Sequence, residues 1–201
     1  MTYSQVVGIP LASKKPTNFL VVELVAYFLF CSNNISMLQR TLVVLKPDTV
    51  GRSIVGEIVS RLERIGLHIV GMKMLHLDKD FLFHHYETLG KMISRRGQKP
   101  FDVTVDMMMK GPVIAIVLEG VEAVEVVRKI VGTTEPKMAA PGTIRGDFAH
   151  MSFDYADGQD IGVPNLVHAS GNAEEAEGEI KHWFKETELF DHAPAHKLFT
   201  R

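Results

Sequence analysis

The chain has one cysteine, Cys31, in 201 residues. An internal disulfide is therefore impossible, and a zinc site built on thiolates is excluded; the usage fits a reducing compartment and a cytoplasmic protein. Excess charge of either sign is also missing. With a formal net charge of −2, nothing draws the chain as a whole to nucleic acid or to an anionic membrane, so any phosphate ligand must be held by a local cluster of cations. There is no run of apolar residues long enough to span a bilayer. The longest, residues 19–31, is interrupted by Glu23 and falls short of the roughly 20 residues a spanning helix needs. Low-complexity tracts and internal repeats are absent as well, which excludes disordered and solenoid classes for most of the chain.

What is present is an ordinary globular composition, 46% hydrophobic and 23% charged, on a chain long enough to bury its own core. Residues 1–36 read differently from the rest: Lys14 and Lys15 precede the apolar run, and Ser32, Asn33 and Asn34 close it. A basic stretch before a short apolar one resembles a secretory signal. No small-x-small cleavage pattern follows, however, so the segment is read as an upstream extension or the product of a misplaced start codon, and the folded domain as residues 37–201.

From there the pattern alternates. Arg40 to Leu45 is a β-rich run ended by Pro47, which cannot sit inside a central strand. Ser53 is placed to cap a helix whose Ile54, Ile58, Leu62 and Ile65 recur at helical spacing, with Glu57 four residues before Arg61. Gly66 ends it. Residues 67–77 read as a strand, 80–92 and 102–110 as helices, and 112–118 as an apolar strand. Val121, Val124, Val127 and Val131 line one face of the next helix, stopped by Gly132. Short strands are expected at 146–151 and 166–168, and a last helix at 173–184. The sum is an α+β sandwich of ferredoxin-like βαββαβ type with an antiparallel sheet, one face covered by helices and the other covered by something else, such as a second subunit.

Three features carry chemistry. Arg145, in a segment after the Pro141-Gly142 turn, offers a planar fork that suits phosphate; pairing with Asp147 on the surface is the ordinary alternative. His168 ends an apolar strand with the Ser170 hydroxyl two residues on, and a neutral imidazole is a competent nucleophile towards phosphorus. Lys46 stands where a strand meets its loop. Each signal alone is weak, since the chain has nine histidines and 22 lysines and arginines.

Taken together, the strings RTLVVLKPD (residues 40–48), PGTIRGDF (141–148) and NLVHAS (165–170), with His85-Tyr86, Gly111-Pro112-Val113 and Glu179-Ile180 in the same order, resemble the nucleoside diphosphate kinase family. The resemblance covers about residues 37–190. It implies a ping-pong transfer of the γ-phosphoryl group of ATP or another nucleoside triphosphate to a nucleoside diphosphate, through phosphorylated His168. Lys46, Arg128 and Arg145 match the phosphate-holding cations, Thr134 a phosphate-binding hydroxyl, and Lys46 with Asn165 the ribose contacts. Phe101 matches an aromatic that stacks on the base, Tyr86 a ring beside the histidine, and Glu179 the carboxylate that orients it; Ser170 supports Glu179 or a phosphate oxygen. Mg²⁺ is implied, held by the nucleotide rather than by protein ligands, and so is a homo-oligomer, tetramer or hexamer.

The chain departs from the family pattern in several places. It is longer over residues 91–99, with Arg95 and Arg96, and over 152–164, where turn residues suggest a lengthened hairpin or a subunit contact. Ala169 replaces a common glycine, Gly171 a common acid and Glu135 a common asparagine. A turn with positive φ at 169 would penalise alanine. A regulatory module that binds nucleotide without turnover is the second reading these departures leave open; a nucleic-acid-binding protein on the same framework has no support in the charge pattern.

Overall fold

The computed structural model describes residues 37–192; the reading of residues 1–36 as an extension lies outside them. β1 (Leu38–Leu45) is the centre of a four-stranded sheet in the order β2-β3-β1-β4, formed with β2 (His68–Leu75), β3 (Val113–Val121) and β4 (Val167–Ala169), and every neighbouring pair is antiparallel. This is the βαββαβ sandwich expected, with helices added between β2 and β3.

Strand alternation sends successive side chains to opposite faces, and both faces of β1 are apolar. Val43 and Leu45 face one layer with Ile116 and Leu118 of β3, against α2 (Val55–Glu63) and α6 (Ala123–Val131). Leu42 and Val44 face the other with Ala115 and Val117, against α3 (Lys79–Phe83), α5 (Gln98–Met108) and α9 (Ala173–Trp183). Leu42 through Leu45 are all fully buried, each contributing roughly 1.5–3 kcal/mol of burial energy. The chain's own helices therefore cover both faces. The expectation of one uncovered face is corrected here, because the helices between β2 and β3 and α9 pack on the side that was left open.

Several local expectations also change. Ser53 does not cap α2: its backbone is left-handed (φ 57°), and Ile54 takes the cap position without a side-chain bond. Arg61 pairs with Asp147 at 2.6 Å rather than with Glu57, a partner no helical spacing can reveal. Val121 is the last residue of β3 and 41% exposed, so α6 buries Val124, Val127 and Val131 without it. Residues 146–151 form no strand; Thr143 caps α7 (Ile144–Phe148) by accepting from the Gly146 N–H. The helix expected over 80–92 is α3 followed by a π-helical turn, His84–Leu89, then a break at Lys91 and α4 (Met92–Arg96). Such wide turns cluster at functional sites. Residues 152–164 contain a helix, α8 (Phe153–Gly158), capped by Ser152, instead of a hairpin.

Candidate functional site

β1 stops at Lys46 because Pro47 lacks the N–H that a ladder needs; α1 (Pro47–Gly51) starts there. The segment 46–49 is stitched to residues 165–167. The Leu166 carbonyl accepts from the Lys46 N–H at 2.9 Å and from Thr49 Oγ1 at 2.7 Å, while the Leu166 N–H donates to Asp48 Oδ2 at 3.0 Å. These bonds hold Leu166 at φ 71°, a left-handed conformation that costs a leucine roughly 1–2 kcal/mol. The strain places Asn165 and Val167 on either side of the end of β1. Lys46 Nζ donates to Asn165 Oδ1 at 2.7 Å, and Asn165 Nδ2 to the Thr134 carbonyl at 2.8 Å.

Arg145 does not pair with Asp147, which binds Gly142 N–H and Arg61 instead. Its guanidinium donates to three backbone carbonyls: Asn165 at 3.1 Å, Gly132 at 2.7 Å and Val167 at 2.5 Å. Two of its five N–H donors remain for a ligand. Burial, helped by the charge of Arg145, pulls Lys46 down to about 8 against the opposing pull of Asp48. Burial and then Arg128 bring Arg145 to about 10. A site that strains its cations in this way favours an incoming polyanion.

His168 sits on β4 opposite Val44. Its Nε2 lies 2.9 Å from Glu179 Oε1, and Ser170 Oγ donates to Glu179 Oε2 at 2.7 Å. Ser170 thus supports Glu179. Burial opposes ionisation of Glu179, but the imidazoles of His168 and His85 and the two side-chain hydrogen bonds outweigh it and hold the carboxyl at about 2. An ionised carboxylate only accepts, so the proton of His168 is on Nε2 and the lone pair is on Nδ1. That nitrogen makes no bond among the described residues.

A second histidine was not singled out by sequence reasoning. His85, on the π-helical turn, has its ring 4.6 Å from that of His168. Trp183 Nε1 donates to His85 Nδ1 at 3.2 Å. Burial first, then the neighbouring His168, push its pKa well below the usual value, so it is a neutral, edge-on wall. Its only signal in the sequence is its place before Tyr86. The Tyr86 ring stands 6.5 Å from His168, and its buried hydroxyl has no hydrogen-bond partner among the described residues.

Two cavities meet at His168 and Thr134. One, of about 370 Å³, is lined by Lys46, Arg128, Thr134, Arg145, Asn165 and His168; the other, of about 280 Å³, by Tyr86, Arg95, Arg96, Thr134, His168 and Glu179. A larger groove of about 540 Å³ between the start of β1 and α9 is mostly apolar, and its cations Arg40 and Lys181 are paired with Glu119 and Glu177, so the convergent cations lie in the smaller pair. Every predicted residue reaches these cavities or their immediate support except Phe101. It is 2% exposed, edge-on to Phe83 in the core, and no ring plane is open for a base. Residue 101 falls on the inner face of α5 beside Val105 and Met108. Ala169 pairs with Val43 in β4 and is not among the positive-φ residues, so it carries no strain. His85, His168 and Glu179 have donor atoms within 4.8 Å of one another, but two imidazoles and one carboxylate, the carboxylate already bonded to His168 and Ser170, suit Mg²⁺ poorly, since it takes oxygen ligands.

The sequence profile described as nucleoside diphosphate kinase matches residues 39–189. The chain is 46% identical over 165 residues to the nucleoside diphosphate kinase of Pyrococcus furiosus, covering 81% of this chain and 93% of that one. It is 42% identical over 156 residues to the enzyme of Borreliella burgdorferi, with 78% and 93% covered. A solved structure from Borrelia burgdorferi, a transition-state mimic with vanadate and ADP bound, superposes with a TM-score of 0.79 at 40% identity over 82% of this chain and 98% of that one. With the profile spanning most of the length and the relatives covered almost end to end, the chain belongs to the nucleoside diphosphate kinase family.

Proposed function

We propose that this phosphotransferase works through His168, with each nucleotide bound in turn along the 370 Å³ cavity. The family activity, phosphoryl transfer between nucleotides, is that of the chain. The observation that carries the residue assignment is the Glu179–His168 bond of 2.9 Å on Nε2, which leaves Nδ1 as the nucleophile. Nδ1 attacks the γ-phosphorus of a nucleoside triphosphate. The bond from phosphorus to the β,γ-bridging oxygen breaks, the diphosphate leaves with that electron pair, and phosphohistidine remains. A second diphosphate then takes the phosphoryl group by the reverse displacement. Lys46, Arg128 and Arg145 spread over the developing charge, and the donors left on Arg145 are fixed before the substrate arrives. Thr134 contacts the phosphates, Lys46 and Asn165 hold the ribose hydroxyls, and Tyr86 closes the ring's far side.

The family uses a divalent metal. Here the cavity lining is cationic and amidic and offers no carboxylate, so Mg²⁺ would be held through the nucleotide's phosphates, where it would supply charge neutralisation beside Lys46, Arg128 and Arg145. We further take residues 37–201 as the kinase domain and assign the chain to the cytoplasm, in keeping with its single cysteine. Among the described residues no helix is long and apolar enough to cross a membrane. A homo-oligomer is favoured by Met72 and Met74, which stand 47% and 58% exposed on the outer strand β2.

The test is to mix the protein with γ-labelled ATP and Mg²⁺, look for acid-labile, base-stable label on the chain, and chase with GDP. Label that passes to GDP and is lost in His168→Ala supports the assignment. Binding of nucleotide without any label would sink it and favour the regulatory module.

A further inference from the structure

Thr134 borders both cavities that meet at His168, yet it is an exposed residue on the loop between Gly132, which ends α6, and the buried Pro136. A loop places a side chain only as well as its supports allow. Here the supports come from the segment that runs from Met151 to Asn165. The Thr134 carbonyl accepts from Asn165 Nδ2 at 2.8 Å. On the other side, Glu135 Oε1 accepts from the Phe153 N–H at 2.9 Å, and the Lys137 N–H donates to the Met151 carbonyl at 3.0 Å. Thr133 Oγ1 tightens the loop by donating to the Glu135 carbonyl at 3.1 Å.

The supporting segment is itself fixed on the core. Ser152 Oγ caps α8 by accepting from the Tyr155 N–H at 3.2 Å, and Ala156 of α8 is fully buried. Gly162 packs flat on α5: a Cβ there would stand 2.5 Å from the Val103 carbonyl oxygen and 2.8 Å from Met107 Cβ. The insertion 152–164 is therefore a brace that grips residues 134–137 from both of its ends. Glu135, another departure from the family pattern, is the side chain that meets it.

The ordinary use of Glu135 would be a surface ion pair with Lys137. Lys137 Nζ stands 3.8 Å away on a half-exposed side chain, and a pair of that kind is worth little. The bond to Phe153 is shorter and charge-assisted, and it satisfies one of the N–H groups that the first turn of a helix leaves without a partner.

Resting on the reading of Thr134 as a phosphate contact, we propose that Glu135 is a positioning residue for the nucleotide site, holding Thr134 against the inserted brace through the Phe153 N–H. The loop is then set before a nucleotide arrives, and its ordering is not charged against binding.

The experiment measures Mg-ADP affinity by calorimetry, kcat, and the thermal midpoint without ligand. The variants are Glu135→Ala, Glu135→Gln, Thr134→Ala, Thr134→Ala/Glu135→Ala, Phe153→Pro and Phe153→Ala. Proline suits the first position of α8 and removes the N–H. Phe153→Ala keeps the N–H and removes only the ring, whose centre lies 5.7 Å from the Arg96 guanidinium. Glu135→Ala should weaken ADP about fivefold, the worth of one hydrogen bond, with kcat little changed. Glu135→Gln retains an accepting oxygen and should keep most of the affinity. Phe153→Pro should match Glu135→Ala and exceed Phe153→Ala, which tests the same bond from the other side. Glu135→Ala should add nothing in the Thr134→Ala background, as expected of a residue acting through another. Unchanged ADP affinity in both Glu135→Ala and Phe153→Pro, whatever the midpoint, would make the brace purely structural and overturn the proposal. Additive losses would overturn the route through Thr134. Wild-type affinity in Thr134→Ala would instead strike at the phosphate role of Thr134, and the role of Glu135 would fall with it.

Discussion

Glu179 and His168 are joined at 2.9 Å through Nε2, and Ser170 fills the other oxygen of the same carboxylate at 2.7 Å. The pair fixes both the orientation and the tautomer of the imidazole proposed as nucleophile. Replacing Glu179 with Gln keeps the shape but removes the charge that stabilises the proton on Nε2. The rate of phosphohistidine formation should fall on the order of 10²-fold, with KM for ATP little changed because no substrate contact is lost. Ser170→Ala should cost less, and the two losses should not add. Rapid-quench single-turnover labelling measures this; an unaltered rate in Glu179→Gln would remove Glu179 from the mechanism.

Lys46 predicts a pH dependence of binding. Its pKa is about 8, and a bound phosphate chain raises it. ADP binding should therefore take up protons near pH 8, and affinity should decline as pH rises through that value. Lys46→Met should bind weakly at every pH and flatten the decline. For folding the sign is opposite: between about 8 and 10.5 the unfolded lysine keeps a proton that the native one has lost, so this group adds stability as pH rises through that window. Calorimetry in buffers of different ionisation enthalpy reads the proton uptake directly.

His85 sets a limit on the acid side. Its native pKa lies well below 6.5 because it is buried beside His168. Below pH 6.5 the unfolded chain takes up a proton that the native state refuses, so stability must fall as the solution is acidified. The thermal midpoint should drop between pH 7 and 5, and His85→Gln should make that slope shallower. An identical slope in the variant would mean that other groups carry the acid sensitivity.

Gly132 and Gly56 form a matched pair. Gly132 has φ 85°, a Cβ there would stand 2.5 Å from Thr143 Oγ1, and its carbonyl accepts from Arg145. Gly132→Ala should lose about 2–4 kcal/mol of stability and raise KM by moving Arg145. Gly56 lies within α2 with nothing inside 4 Å of its missing Cβ, so Gly56→Ala should gain about 0.5–1 kcal/mol and leave kinetics alone. Chemical denaturation of both variants distinguishes the two cases.

Much of the fold was legible because it is written in local periods. The run from Leu42 to Leu45 reads as a strand, the valines of α6 read as a helix face, and Gly132 reads as its stop; each needs only neighbours in sequence. The site's membership was legible for a different reason: the strings at 40–48, 141–148 and 165–170 name a family, and the family names the residues. Phe101 shows where that route fails. Its identity fits the family role, but the side chain is buried in the core, and only its packing against Phe83 and Val105 reveals this.

By itself the sequence determined an α+β sandwich, its antiparallel strands, and the family whose pattern matches His168 with Lys46, Arg128 and Arg145 on loops and a helix edge. Tertiary structure decided the rest: helices on both faces of the sheet, Arg145 spread over three carbonyls rather than paired with Asp147, the proton of His168 on Nε2, and Arg96 on the Phe153 ring. The physical reason is common to all four. Periodicity reports which way a side chain faces relative to its own element, whereas protonation, pairing and packing depend on which distant group lies opposite, and that is defined only once the chain has closed on itself.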